Sequence, residues 1–147
     1  MTTRTALALS GRIALAAVLL VAGVGHFANV DAFLGQVPTF LPARTAIVLA
    51  SGVMELALGV SLLALRGPRL AVLGWVVALF FVAVFPGNLW QAYHGSDSFG
   101  LDTDGARLLR LPFQPLLVVW ALWCTGAWAA RADVLAGVRG RLGRTAR

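Results

Sequence analysis

Five polar side chains lie in or beside the apolar runs of the chain: His26, Glu55, Asn88, Arg110 and Gln114. The chemistry they offer is that of a polar site inside an apolar bundle. A carboxylate held in lipid can handle a proton or anchor the head group of a small molecule, and a histidine titrates near neutral pH. The plainer reading is structural, because polar side chains that hydrogen-bond across helices fix the register of a bundle, typically for about 0.6 kcal/mol each. That reading serves Asn88 and Gln114 well, and Arg110 also serves as a topology charge. It fits Glu55 least, since an acidic residue at mid-bilayer carries a cost of about 2.5 to 3.5 kcal/mol.

Other chemistries find no footing in the residue pattern. His26 and Glu55 are two metal ligands at most, with His94 in a loop, so no metal site is expected. No Ser/His/Asp arrangement, phosphate loop or Rossmann glycine pattern is present, and no residue is assigned a catalytic role. Cys124 is the one cysteine, so no intrachain disulfide or thiol relay can form, and it reads as a small buried hydrophobe. Asp102-Thr103-Asp104-Gly105 resembles a fragment of a calcium loop, but Gly100 and Leu111 stand where the first and last ligands belong. Residues 94–107 therefore read as a solvated loop.

The elements that must position the five residues are membrane spans. Of the 147 residues 59% are hydrophobic and 12% charged, against about 25% charged in a soluble domain, so the solvent is lipid. Glu55 sits within 45–65, a run of no other charge long enough for about 31 Å of helix, the thickness of a bilayer core. Val48, Ser51, Gly52, Glu55, Gly59 and Leu62 recur there at three- and four-residue spacing. Small residues on that stripe let helices approach closely and turn Glu55 into the bundle. A carboxyl group so placed is carried as the neutral acid or hydrogen-bonded to a facing group such as His26, Asn88 or Gln114.

Three further spans are expected at 9–27, 70–90 and 111–130, giving an all-α four-transmembrane-helix bundle in one domain, 1–130. A cleaved signal peptide is the competing reading of the first span, set aside because the run is long and the chain stays apolar after it. Pro38 and Pro42 keep 28–44 from forming a long helix, and its apolar residues place it at the interface, on the bundle mouth. Pro86 should bend the third span and free the carbonyl of Val82. Residues 131–147 read as a basic cytoplasmic tail that lies on anionic lipid.

All 12 basic residues are Arg, which suggests GC-rich coding and a bacterial source. They flank the spans and form no patch with interleaved aromatics, so no nucleic-acid partner is expected. Nine lie on the side of both termini and the 66–69 turn and three on the other, which makes the termini cytoplasmic in a multi-pass plasma-membrane protein. His26, Asn88, Gln91, Arg107, Arg110 and Gln114 then sit near the outer mouth, with Glu55 about 15 Å deeper by ten residues of rise.

Several short motifs occur in a specific joint order: Gly23-Val24-Gly25-His26-Phe27, Val37-Pro38 with Leu41-Pro42, Ser51-Gly52-Val53-Met54-Glu55-Leu56, Phe85-Pro86-Gly87-Asn88 and Arg110-Leu111-Pro112-Phe113-Gln114. On these, over about residues 20–125, the chain resembles the DoxX-like branch of the DoxX family of small bacterial membrane proteins. The resemblance implies a four-helix transmembrane bundle. Family members include a subunit linked to thiosulfate:quinone oxidoreduction, proteins associated with thiol-redox systems, and receptor-assembly factors. One function class is thus a redox-associated accessory component whose polar cavity binds a quinone or similar small molecule, beside a membrane oxidoreductase partner or as a homo-oligomer. A second is a non-catalytic assembly protein that binds a partner membrane protein. A transporter ranks third, because four helices need to oligomerise to make a pathway.

Overall fold

The computed structural model describes residues 3–96 and 103–132. The tail expected at 131–147 lies almost wholly outside the described residues, as does Asp102 of the polar loop. Among the described residues the helices with defined bounds are, in order, α1 (Thr3–Ala28), α2 (Val30–Leu34), α3 (Arg44–Ala64), α4 (Pro68–His94), α5 (Asp104–Arg110) and α6 (Phe113–Cys124). No strand occurs among the described residues. Helices α1, α3 and α4 are long and apolar enough to cross a membrane. Their outward side chains, among them Val21, Val53, Leu79 and Val82, are apolar and exposed, which lipid requires and water would not.

The fourth expected span differs most. Of 111–130 only Phe113–Cys124 is α6, 12 residues and about 18 Å, short of a bilayer core. Two local causes end it. Thr125 turns its hydroxyl back to the carbonyl of Ala121 at 2.6 Å, and Gly126 takes the left-handed conformation (φ 71°) that closes many helices. Residues 125–130 are turns that bring Ala127 into the core and Trp128 beside Trp75.

The helices pack as two close pairs. Buried residues on α1 fall at Leu15, Ala16, Leu19, Gly23 and His26, one stripe of a 3.6-residue period. They meet Gly52 and Gly59 of α3, where absent side chains let the backbones approach. In the second pair, Gly74 of α4 leaves room for Thr125 and Ala127 just past α6. Leu15, Leu19, Leu62, Val77, Phe81, Ala121 and Cys124 join the pairs in one core toward the end where residues 65–67 connect α3 to α4. At this closed end Gly67 adopts φ 60° and Pro68 opens α4.

Arg12 is not the flanking charge its position implied. It lies two turns inside α1, buried, with Nη1 3.4 Å from the carbonyl of Leu65 that ends α3. A cation at a helix C-terminus meets unpaired carbonyls and the negative end of the dipole, which explains an arginine there.

A Cβ added to Gly52 would stand 2.6 Å from Cβ of His26 and 2.9 Å from the Phe27 ring. Gly52→Ala should therefore destabilise by about 1–3 kcal/mol, read as a lower melting temperature in detergent. Gly105→Ala, with nothing within 4 Å, should melt no lower than the parent. A Gly52→Ala protein as stable as the parent would contradict the close α1–α3 approach.

Candidate functional site

Away from the core, the open ends of α1, α3, α4 and α6 diverge around a cavity of about 600 Å³. All five polar residues singled out in the sequence line it: His26 from α1, Glu55 from α3, Asn88 from α4, Arg110 from the end of α5 and Gln114 from the first turn of α6. The rest of the lining is largely apolar, with Phe33, Val48, Phe81 and Leu117 among its walls.

Asn88 and Gln114 form a closed amide chain. Asn88 Nδ2 donates to Gln114 Oε1 at 3.0 Å, and Gln114 Nε2 donates to the carbonyl of Phe81 at 2.7 Å. Both side chains are buried. Pro86 runs within α4 and lacks the N–H that would reach the Val82 carbonyl. Gln114 supplies its donor one residue away in that same turn, where the helix is least able to satisfy itself.

Arg110 is held by two further amides. Nη1 donates to Gln91 Oε1 at 3.4 Å, and Gln91 Nε2 reaches the carbonyl of Ser96. With its amide oxygen turned to the guanidinium, Gln36 accepts from Nη1 and Nη2, both at 2.9 Å. Burial pulls the guanidinium below its ordinary pKa, yet arginine remains a cation, so these acceptors matter to its placement.

The His26–Glu55 pair corrects the expected depths. His26 Nδ1 lies 3.1 Å from Glu55 Oε2, so the two are level and not about 15 Å apart. The helix ends are not flush: α3 starts at Arg44, eight residues or about 12 Å before Gly52, the residue that meets His26. The segment after α1 fills that step. His26 Nδ1 also lies 2.9 Å from the carbonyl of Ala22. One N–H cannot align with both acceptors, and Glu55 Oε2, though buried, receives no aligned hydrogen bond from the described residues.

Residues 29–43 roof the cavity. Asn29 caps α2 by accepting from the Ala32 amide. Phe33 stacks on the His26 ring with centroids 3.7 Å apart. Arg44 donates from Nε to the carbonyl of Val37 at 3.1 Å and from Nη2 to that of Leu34. Gly87 admits the Gln36 carbonyl, which would lie 2.9 Å from a Cβ there.

Gln36 and Gln91 are site residues the five-residue set missed. Gln91 had a signal, since i and i+3 on a helix share a face and Asn88 was already placed inward. Gln36 had a weaker one, as an amide amid the apolar residues of 32–42. Other polar residues lie elsewhere. Cys124 is in the core and His94 stacks on Trp90. Arg107 pairs with Asp104 at 2.9 Å and Thr103 caps α5, so this part of the polar loop is the start of a helix. No group of three or more His, Cys, Asp or Glu gathers among the described residues.

The amide chain makes a stability prediction. Gln114→Leu strands the Asn88 amide and should cost about 1–3 kcal/mol. Adding Asn88→Leu removes the stranded group, so the double variant should melt above the sum expected from the two singles. Strictly additive melting shifts would mean the two amides do not interact.

No curated protein and no solved structure matches the chain. The protein-family model described as "Domain of unknown function (DUF8561)" matches residues 15–125, which include all five of these residues and their roof. The chain belongs to the DUF8561 family.

Proposed function

We propose that this protein is a four-span integral protein of a bacterial plasma membrane whose cavity binds a small amphipathic molecule of quinone type, as an accessory component of a membrane redox system. One observation carries the reading. Polar side chains from five helices and the roof line a single apolar-walled cavity of ligand size. A quinone is flat and apolar, with two carbonyl oxygens to accept hydrogen bonds from a guanidinium and amides. The Glu55 carboxyl group, which lines the cavity, offers an acceptor to a hydroxyl of the reduced form.

The redox association rests on the resemblance to DoxX-like proteins, as does the count of four spans, which needs residues after Cys124 to complete the last crossing. The arginine split supports cytoplasmic termini. A membrane oxidoreductase, or a second copy of this chain, is the partner such a component would serve. The assembly-factor alternative draws on the Asn88–Gln114 chain, whose two hydrogen bonds stay within the bundle.

Glu55 separates the readings. Binding of a tail-less benzoquinol, the form whose hydroxyl Glu55 would accept from, and detergent melting temperature are measured for Glu55→Gln and Glu55→Leu. Both variants should insert and fold, and both should lose binding by about tenfold or more, about 1.4 kcal/mol. A Gln variant unchanged in stability and binding would defeat the ligand-site reading and leave the structural one.

Topology is testable apart from function. Reporter fusions after Arg69 and after Arg147 should report cytoplasm, and one within 97–104 the outside. An outside-reporting C-terminus would sink the four-span arrangement.

A further inference from the structure

We infer that the cavity is entered sideways from the lipid, between α3 and α4, by an amphiphile whose polar head sits among Arg110, His26 and Glu55 while a long apolar tail stays in the bilayer. This rests on the cavity-binding reading above and names the ligand class for it. The route from water is the covered one. Phe33 lies on His26, Gln36 bonds Arg110 and packs on Gly87, and Arg44 ties down the carbonyls of Leu34 and Val37. Val37, beneath this roof, is buried.

The flank between α3 and α4 is different. Those helices join through a tight turn at the closed end, and they meet far less than α1 meets α3 or α4 meets α6. Ile47 of α3 and Ala83 and Pro86 of α4 line the cavity and are exposed, so the cavity is open along this flank. Ile47 and Ser51 share the side of α3 about 40–80° round from Glu55, away from the Gly52 seam with α1. Pro38 and Leu41 complete the rim, so apart from Ser51 the side chains at this mouth are apolar. Such a rim suits an alkyl or isoprenoid chain. A cavity of about 600 Å³ holds a head group of drug-like size, so a longer tail has to leave through it.

The test uses the full chain in lipid nanodiscs and two probes: a tail-less benzoquinone, and a benzoquinone with a long alkyl tail that carries a diazirine midway. On illumination the tail should label peptides containing Ile47 and Ala83. Ala83→Trp, and separately Ile47→Trp from the opposite wall, should cut that labelling by about tenfold or more, a clearly larger loss than either causes in tail-less binding. Melting temperature identifies a variant that fails to fold, and the other wall's variant then decides. Val18, also exposed and lining the cavity, lies on another flank of α1. Labelling around Val18 and Leu117 instead, Trp variants without effect, or folded Trp variants that weaken both probes equally would overturn the side entrance while cavity binding stands. Failure of the tail-less probe to bind would remove the cavity-binding reading and this inference with it.

Discussion

The bare backbone of Gly52 against His26 and Phe27 is the contact on which the arrangement of the open end depends. Gly23 and Gly59 extend the same seam, and with no side chains between them the α1 and α3 backbones close up along their length. The seam fixes register. It sets His26 level with Glu55, and a slip of one residue would rotate Glu55 by 100° off the imidazole. It also fixes direction, because a helix drawn tightly to α1 is not drawn to α4. The separation of α3 from α4 beyond their connecting turn, and hence the cavity, follows from where the glycines are.

Burial then dictates what the cavity can contain. A polar group buried without a partner costs free energy, so each side chain drawn inside the bundle needs one there. The amide chain from Asn88 through Gln114 to Phe81 meets this demand with two hydrogen bonds. Arg110 meets it with Gln36 and Gln91, drawn from two different elements. The roof is thereby tied to α4 and α5 through one guanidinium, so ordering the polar groups and covering the cavity are one event.

The long apolar runs and the inward stripe of α3 were legible in the sequence because both follow from composition and a 3.6-residue period. Convergence of the five polar residues was legible for the same reason: lipid leaves such side chains few places except the bundle interior. What failed was anything that depends on where a helix ends relative to its neighbours. Counting rise from a shared surface put Glu55 far below His26, whereas α3 overshoots the end of α1. The last span was read as 20 residues because Thr125-Gly126 is a short polar break in a run that stays apolar on both sides. Arg12 was read as an end charge because its partner, the Leu65 carbonyl, is 53 residues away and backbone carbonyls leave no mark in a sequence.

The polar residues of the cavity are not equivalent in what they demand. A pin of helix register needs a group satisfied by its partner, and Asn88 with Gln114 is such a pair at modest desolvation cost. Glu55 is a poor pin by the same measure. A buried carboxyl group costs more to desolvate than an amide, and Glu55 Oε2 receives no aligned hydrogen bond from the described residues. A glutamine at 55 would offer the same reach, an acceptor and two donors for less desolvation. The geometry thus assigns the amides to holding the bundle and leaves the carboxyl group, with an oxygen that no described donor is aligned to meet, for a task an amide would not perform.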